Sequence, residues 1–110
     1  NGKYINSDQI FKNFKTATVC GEFEIKEFLN LHNILNNHQL EIGSIEKYYY
    51  FKNKRWDLVF SNNLVLKLPS KNKSDSIKIF KQLIHNNNLI NTKIVDLRVS
   101  NQIIITNKNE

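Results

Sequence analysis

Three histidines, one cysteine and ten carboxylate residues are the side chains of this 110-residue chain with the means to do chemistry. His32, His38 and Glu41 come nearest to a metal-ligating set. Ligands stack on a helix at three- or four-residue intervals, however, and His38 and Glu41 follow His32 by six and nine. No Cys pair completes a tetrahedral zinc site. Cys20 is the lone cysteine, so it has no internal disulfide partner, and it reads as a small buried hydrophobe. No Ser, Cys or Thr stands in a nucleophile-elbow context. Glycine occurs only at Gly2, Gly21 and Gly43, which gives no phosphate-cradling loop. Asp96 and Arg98, two apart on a strand, share a face and read as a structural ion pair. His32 falls on a helical apolar face and reads as a core or boundary residue, while His85 ends a helix, where a cation suits the dipole. These patterns predict no enzyme, no metal and no cofactor.

The elements that would position these residues follow from periodicity. Between Glu24 and about Asn37, the residues Ile25, Phe28, Leu29, His32 and Leu35 recur at helical spacing. Glu24 and Glu27 oppose the dipole at its start, and Asn36-Asn37 offers a stop. A second helix is predicted from Ser74, as N-cap, to Asn86, with Ile77, Phe80, Leu83 and Ile84 buried and the Asn86-Asn87-Asn88 run as its end. The runs 45–51 and 55–60 flank the turn Lys52-Asn53-Lys54. Trp56, Leu58 and Phe60 alternate against Arg55, Asp57 and Val59. After Ser61-Asn62-Asn63, a pair suited to positive backbone angles, comes 64–68 with Leu64, Leu66 and Leu68 on one side. Runs 94–99 and 102–106 close the chain around Ser100-Asn101. Tyr4-Ile5, 9–14 and 16–20 are further strand candidates. The order predicts an α+β fold: a mostly antiparallel sheet of short strands with two helices packed on one face.

The net charge is +6, yet fourteen of the sixteen basic residues are Lys and only Arg55 and Arg98 are Arg. Arg is the residue preferred for bidentate recognition of phosphates and bases. Asn, Lys, Ile, Phe and Tyr, all with AT-rich codons, fill 57 of the 110 positions. Scattered lysines from a biased genome read as a solvated surface, and no nucleic-acid partner is expected. The alternative is a small basic nucleic-acid-binding module that stacks bases on two of Tyr48, Tyr49, Tyr50 and Phe51. Successive strand residues alternate faces, so only Tyr48 with Tyr50, or Tyr49 with Phe51, could share one. No apolar run approaches the ~20 residues of a membrane-spanning helix. With no Met and Asn1 as first residue, the chain reads as a piece of a longer protein.

The most informative stretch is the last. Gln102, Ile103, Ile104, Ile105 and Thr106 are uncharged, β-prone and free of Pro. As the final strand they are expected at the sheet edge, with one row of main-chain groups open. A two-residue turn at Ser100-Asn101 would pair Arg98 with Ile103 and Asp96 with Ile105. Ile103 and Ile105 would then share the charged face, while Val95, Leu97 and Ile104 point to the core. Two isoleucines on a charged face suggest a partner strand, or else cover from the chain's own N-terminal residues. A three-residue turn would swap the faces.

The ordered set Arg55-Trp56-Asp57-Leu58, Asn62-Asn63-Leu64-Val65-Leu66-Lys67-Leu68-Pro69, a helix, then Ile94-Val95-Asp96-Leu97-Arg98-Val99 resembles the C-terminal half of the FtsQ/DivIB cell-division family. The likeness covers about residues 42 to 106. Tyr4-Ile5-Asn6-Ser7-Asp8 and Thr18-Val19-Cys20-Gly21 look like the opening of the same β domain. Ala17-Thr18 stands where the family has Leu-Pro, Asn63 where it has a turn glycine, and Val99 where many relatives have an aromatic. The resemblance implies that residues 1–110 are one FtsQ-type β domain without catalytic activity. It further implies an upstream transmembrane helix and POTRA domain, placing this domain in the periplasm of a single-pass inner-membrane protein at the division septum. Its implied partners are FtsB and FtsL, along with other divisome proteins. The contact surface it implies is Arg98, Val99, Ser100, Asn101, Gln102, Ile103, Ile104, Ile105 and Thr106, with FtsB adding a strand to the last strand.

Overall fold

A computed structural model describes residues 17–86, 89–99 and 102–108. Its elements are β1 (Thr18–Cys20), α1 (Ile25–Asn37), a 3-10 turn (Ile42–Ser44), β2 (Ile45–Tyr50), β3 (Trp56–Phe60), β4 (Val65–Leu68), α2 (Lys73–His85), β5 (Thr92–Asp96) and β6 (Ile104–Asn107). The strand candidates 4–5 and 9–14, Thr16, part of the Asn86–Asn88 stop, and the Ser100-Asn101 turn lie outside the described residues.

The six strands form one sheet in chain order. β2, β3 and β4 make the predicted antiparallel meander, and β5 pairs antiparallel with β6. The pairs β1/β2 and β4/β5 are parallel, each joined through one helix. The α+β class stands, with the sheet mixed and antiparallel pairs in the majority. Both parallel pairs are βαβ crossovers, which a helix of this length allows and a tight turn does not.

The meander forms where alternation and turn chemistry agree. Asn63 takes a positive φ of 70°, and the Asn62 side-chain oxygen accepts the Leu64 N–H at 3.1 Å. Trp56, Leu58, Phe60, Leu64, Leu66 and Leu68 are buried as the alternation requires. Against them sits a cluster of aromatic rings. Phe28 meets Tyr48 edge-on at 4.9 Å between centroids, and Trp56 packs on Tyr50 at 4.8 Å. Phe23 and Phe28 approach Trp56 at 5.7 and 5.8 Å. Gly21 makes this possible. Its φ is +110°, and a Cβ there would lie 2.5 Å from the Tyr50 carbonyl oxygen. The chain therefore turns sharply beside β2 and delivers Phe23 to the core.

Both helices differ in detail from the periodic reading. In α1 the buried stripe is Phe28, Leu31 and Leu35, while Ile25 and Leu29 are 46% and 45% exposed and His32 is half-buried. Phe28 and Leu35 belong to both candidate stripes. The all-apolar one, through Leu31, wins because the other would bury an imidazole. α2 starts two residues early, with Asn72 as its N-cap in the left-handed region at φ 61° and no side-chain cap bond. Ser74 thus lies inside the first turn and is not the cap. Ile77 and Phe80 are buried and Leu83 is half-buried, whereas Ile84 stays 43% exposed.

Candidate functional site

Among the described residues β6 forms one edge of the sheet and β1 the other. The register of β6 settles which way each of its residues points. Leu97 N–H donates to Lys67 O at 3.0 Å, so Val95 and Leu97 turn their main-chain groups toward β4. By alternation Ile94 and Asp96 turn theirs toward β6, where Thr106 and Ile104 face them. Lys108 N–H continues the series to Asn91 O at 2.9 Å. The groups of Ile105 and Asn107, and of Ile103 by the same alternation, therefore point away from the sheet.

This register corrects the predicted hairpin. Asp96 pairs with Ile104 and Val95 with Ile105, one residue away from the pairing a two-residue turn would impose. Such a slip exchanges faces. Ile105 lies on the side of Val95 and the helices, and Ile104 lies on the open face beside Asp96, not toward the core. Of the β6 isoleucines the charged face thus carries one and not two. The cause is the longer connection, in which Gln102 N–H bonds to Val99 O at 3.2 Å. Ile103, Ile104 and Ile105 are 48%, 48% and 37% exposed, and Val99 and Gln102 are exposed too. Ile103 and Val99 line a cleft of about 350 Å³ with Pro69, Ser76, Ile79 and Leu97. Ser100 and Asn101 lie outside the described residues. Sequence reasoning stopped at Thr106 and missed Asn107, whose outward main chain only the register reveals.

Asp96 and Arg98 stabilise the exit from β5. One Asp96 carboxylate oxygen accepts the Arg98 backbone N–H at 3.0 Å and its Nε at 2.9 Å, while the other accepts Nη2 at 2.7 Å. These bonds hold the Asp96 carboxyl below its ordinary pKa and raise that of Arg98. They also define one end of a cross-strand row on the open face: Cys20, Tyr49, Asp57, Lys67, Asp96, Ile104. Within it, Asp57 has its carboxyl pushed up by burial, against the opposing pull of Lys67 and Arg98. Cys20 sits half-exposed in this row rather than in the core.

Elsewhere the chemistry is sparse. A contact between His38 Nε2 and Ser74 Oγ at 2.7 Å ties the end of α1 to the start of α2. It joins residues 36 apart, so no local motif announced it. Among the described residues no carboxylate hydrogen-bonds the other ring nitrogen of His38, and no cluster of three or more His, Cys, Asp or Glu could hold a metal. Tyr48 is buried, its hydroxyl pKa driven up by desolvation. Tyr50 packs beside it, so that pair belongs to the core. Tyr49 is half-buried on the opposite face, and Phe51 is exposed past the end of β2.

A model of the family described as cell division protein FtsQ/DivIB, C-terminal, matches residues 11–98, ending just before Val99 and β6. No curated protein matches the chain.

Proposed function

The chain belongs to the FtsQ/DivIB C-terminal family of cell-division proteins, and on that footing we propose that it is a non-enzymatic scaffold domain that takes up a strand from the FtsB–FtsL pair along β6. The domain lies in the periplasm in this reading, carried at the division septum by an upstream inner-membrane helix and a POTRA domain. Other divisome proteins are further partners. The observation that carries the reading is the terminal edge itself, with main-chain donors and acceptors of Ile105 and Asn107 directed outward and no charge from Gln102 to Asn107. An added strand satisfies those groups, and isoleucines on both faces select its side chains. The Asp96–Arg98 clasp supports the edge by fixing the chain as it leaves β5. In this reading Arg98, Val99, Ser100, Asn101 and Gln102 belong to the partner's contact surface as well.

The nucleic-acid alternative loses one of its two stacking pairs, because Tyr48 and Tyr50 both pack against Trp56. The deciding experiment titrates the periplasmic segments of the FtsB–FtsL pair into the chain by calorimetry. Ile103→Glu combined with Ile105→Glu abolishes binding while the melting temperature stays near that of the unmodified chain. Unchanged affinity in that variant would refute docking at this edge.

A further inference from the structure

We infer that β6 is also a self-pairing edge: two copies of this chain dimerise weakly by joining β6 to β6 antiparallel about a twofold axis at Ile105. The inference stands on the geometry of the edge and not on the identity of any other partner. An outward-facing strand residue pairs with an outward-facing one. A twofold axis at Ile105 therefore sets Ile105 against Ile105 of the second copy, Ile103 against Asn107, and Ile104 against Thr106. About six main-chain hydrogen bonds close this seam.

Three observations favour self-pairing here. The chain carries a net charge of +6, which opposes approach of two copies over most of the surface, but nothing from Gln102 to Asn107 is charged. The nearest guanidinium, that of Arg98, is already neutralised by Asp96 at 2.7 Å. Lys108, the one charge close behind the strand, falls at the margin of the seam opposite Gln102. Second, Ile103, Ile104 and Ile105 are all substantially exposed in a single copy, and the twofold axis covers them on both faces of the joined sheet at once. Third, natural edges usually carry an inward charge, a proline or a lysine within the strand. This edge has none of these, and its one irregularity, between Thr92 and Ile94, sits at the far end.

A five-residue seam covers less than the roughly 1,200 Å² of a stable complex, so the dimer is transient. An incoming partner strand displaces it by occupying the same groups. Self-pairing would then shield a sticky edge until the partner arrives.

The test is sedimentation of the 110-residue chain between about 10 µM and about 1 mM, the range an interface this small implies. A reductant is present because Cys20 is free. The unmodified chain shifts toward dimer with concentration. Ile105→Lys and Ile105→Glu each weaken association at least tenfold while circular dichroism and melting stay unchanged. An equal mixture of the two variants regains it, since Lys then faces Glu across the axis. A chain monomeric at the top concentration, an Ile105→Lys variant that associates as well as the parent, or a mixture that fails to recover would each overturn the inference. None of these outcomes bears on FtsB–FtsL docking, because no second protein is present.

Discussion

Two proline substitutions one residue apart separate the edge from the ladder that holds it. The Ile104 N–H points toward Asp96 on β5, whereas the Ile105 N–H points outward. Ile104→Pro removes a ladder donor and leaves the Asp96 carbonyl without its partner. The net bond is worth about 1 kcal/mol and the orphaned carbonyl costs about 1–3 more, so β6 is destabilised by about 2–4 kcal/mol. Ile105→Pro removes a donor that nothing in the described sheet uses, and proline is tolerated on an edge strand when its nitrogen faces away from the sheet. Its stability cost is below about 1 kcal/mol. Its binding cost is that of one lost main-chain bond plus an unsatisfied acceptor on the incoming strand, about 2 kcal/mol, or roughly 30-fold in Kd. Urea unfolding followed by calorimetric titration of the FtsB–FtsL segments measures both. Binding by Ile105→Pro as tight as that of the parent would refute the edge as the docking site. Equal destabilisation by both prolines would refute the register.

Gly21→Ala places a methyl group 2.5 Å from the Tyr50 carbonyl oxygen at a φ that side chains rarely adopt. We expect a loss of about 2–4 kcal/mol and a melting temperature lower by about 10–20 °C, with affinity of the folded fraction unchanged. The two aspartates of the open-face row should respond to pH in opposite senses. Burial raises the folded pKa of Asp57 above its unfolded value. The stability it lends is therefore greatest in acid and is lost as pH rises through the folded pKa, so Asp57→Asn raises the melting temperature at pH 7 and the gain fades below about pH 4. The Asp96 pKa is lowered by Arg98. Its contribution is present above the unfolded carboxylate range and is lost as pH falls through the folded pKa. Thermal melts from pH 7 to 3 should lose this acid-sensitive part in Asp96→Asn.

What the sequence disclosed depended on whether local chemistry and tertiary packing agreed. The β2–β4 meander was legible because alternation at Trp56, Leu58 and Phe60 and the turn at Asn62-Asn63 specify the same register. The buried stripe of α1 was not, because Phe28 and Leu35 fit two stripes, and the cost of burying the His32 imidazole is what selects Leu31 over Leu29. The parallel pairings of β1 with β2 and β4 with β5 leave no local mark, since the partners are separated by whole helices. The position of the terminal strand at the edge followed from its place in the chain. Its faces did not, because a connection longer than a two-residue turn shifts the pairing by one. The same shift exposed Asn107 as an edge residue and returned Ile103 and Ile105 to the helix side. The Ser74–His38 contact could not be read at all, being a meeting of two helix ends 36 residues apart.

Amide hydrogen exchange resolved by residue puts the question to the main chain directly. In the dilute chain, the amides of Ile105 and Asn107 should exchange quickly while those of Ile104, Thr106 and Lys108 are protected by β5. On saturation with the FtsB–FtsL segments, Ile105 and Asn107 should become protected by at least a hundredfold. New protection that appears elsewhere and leaves those two amides fast would contradict strand addition at β6.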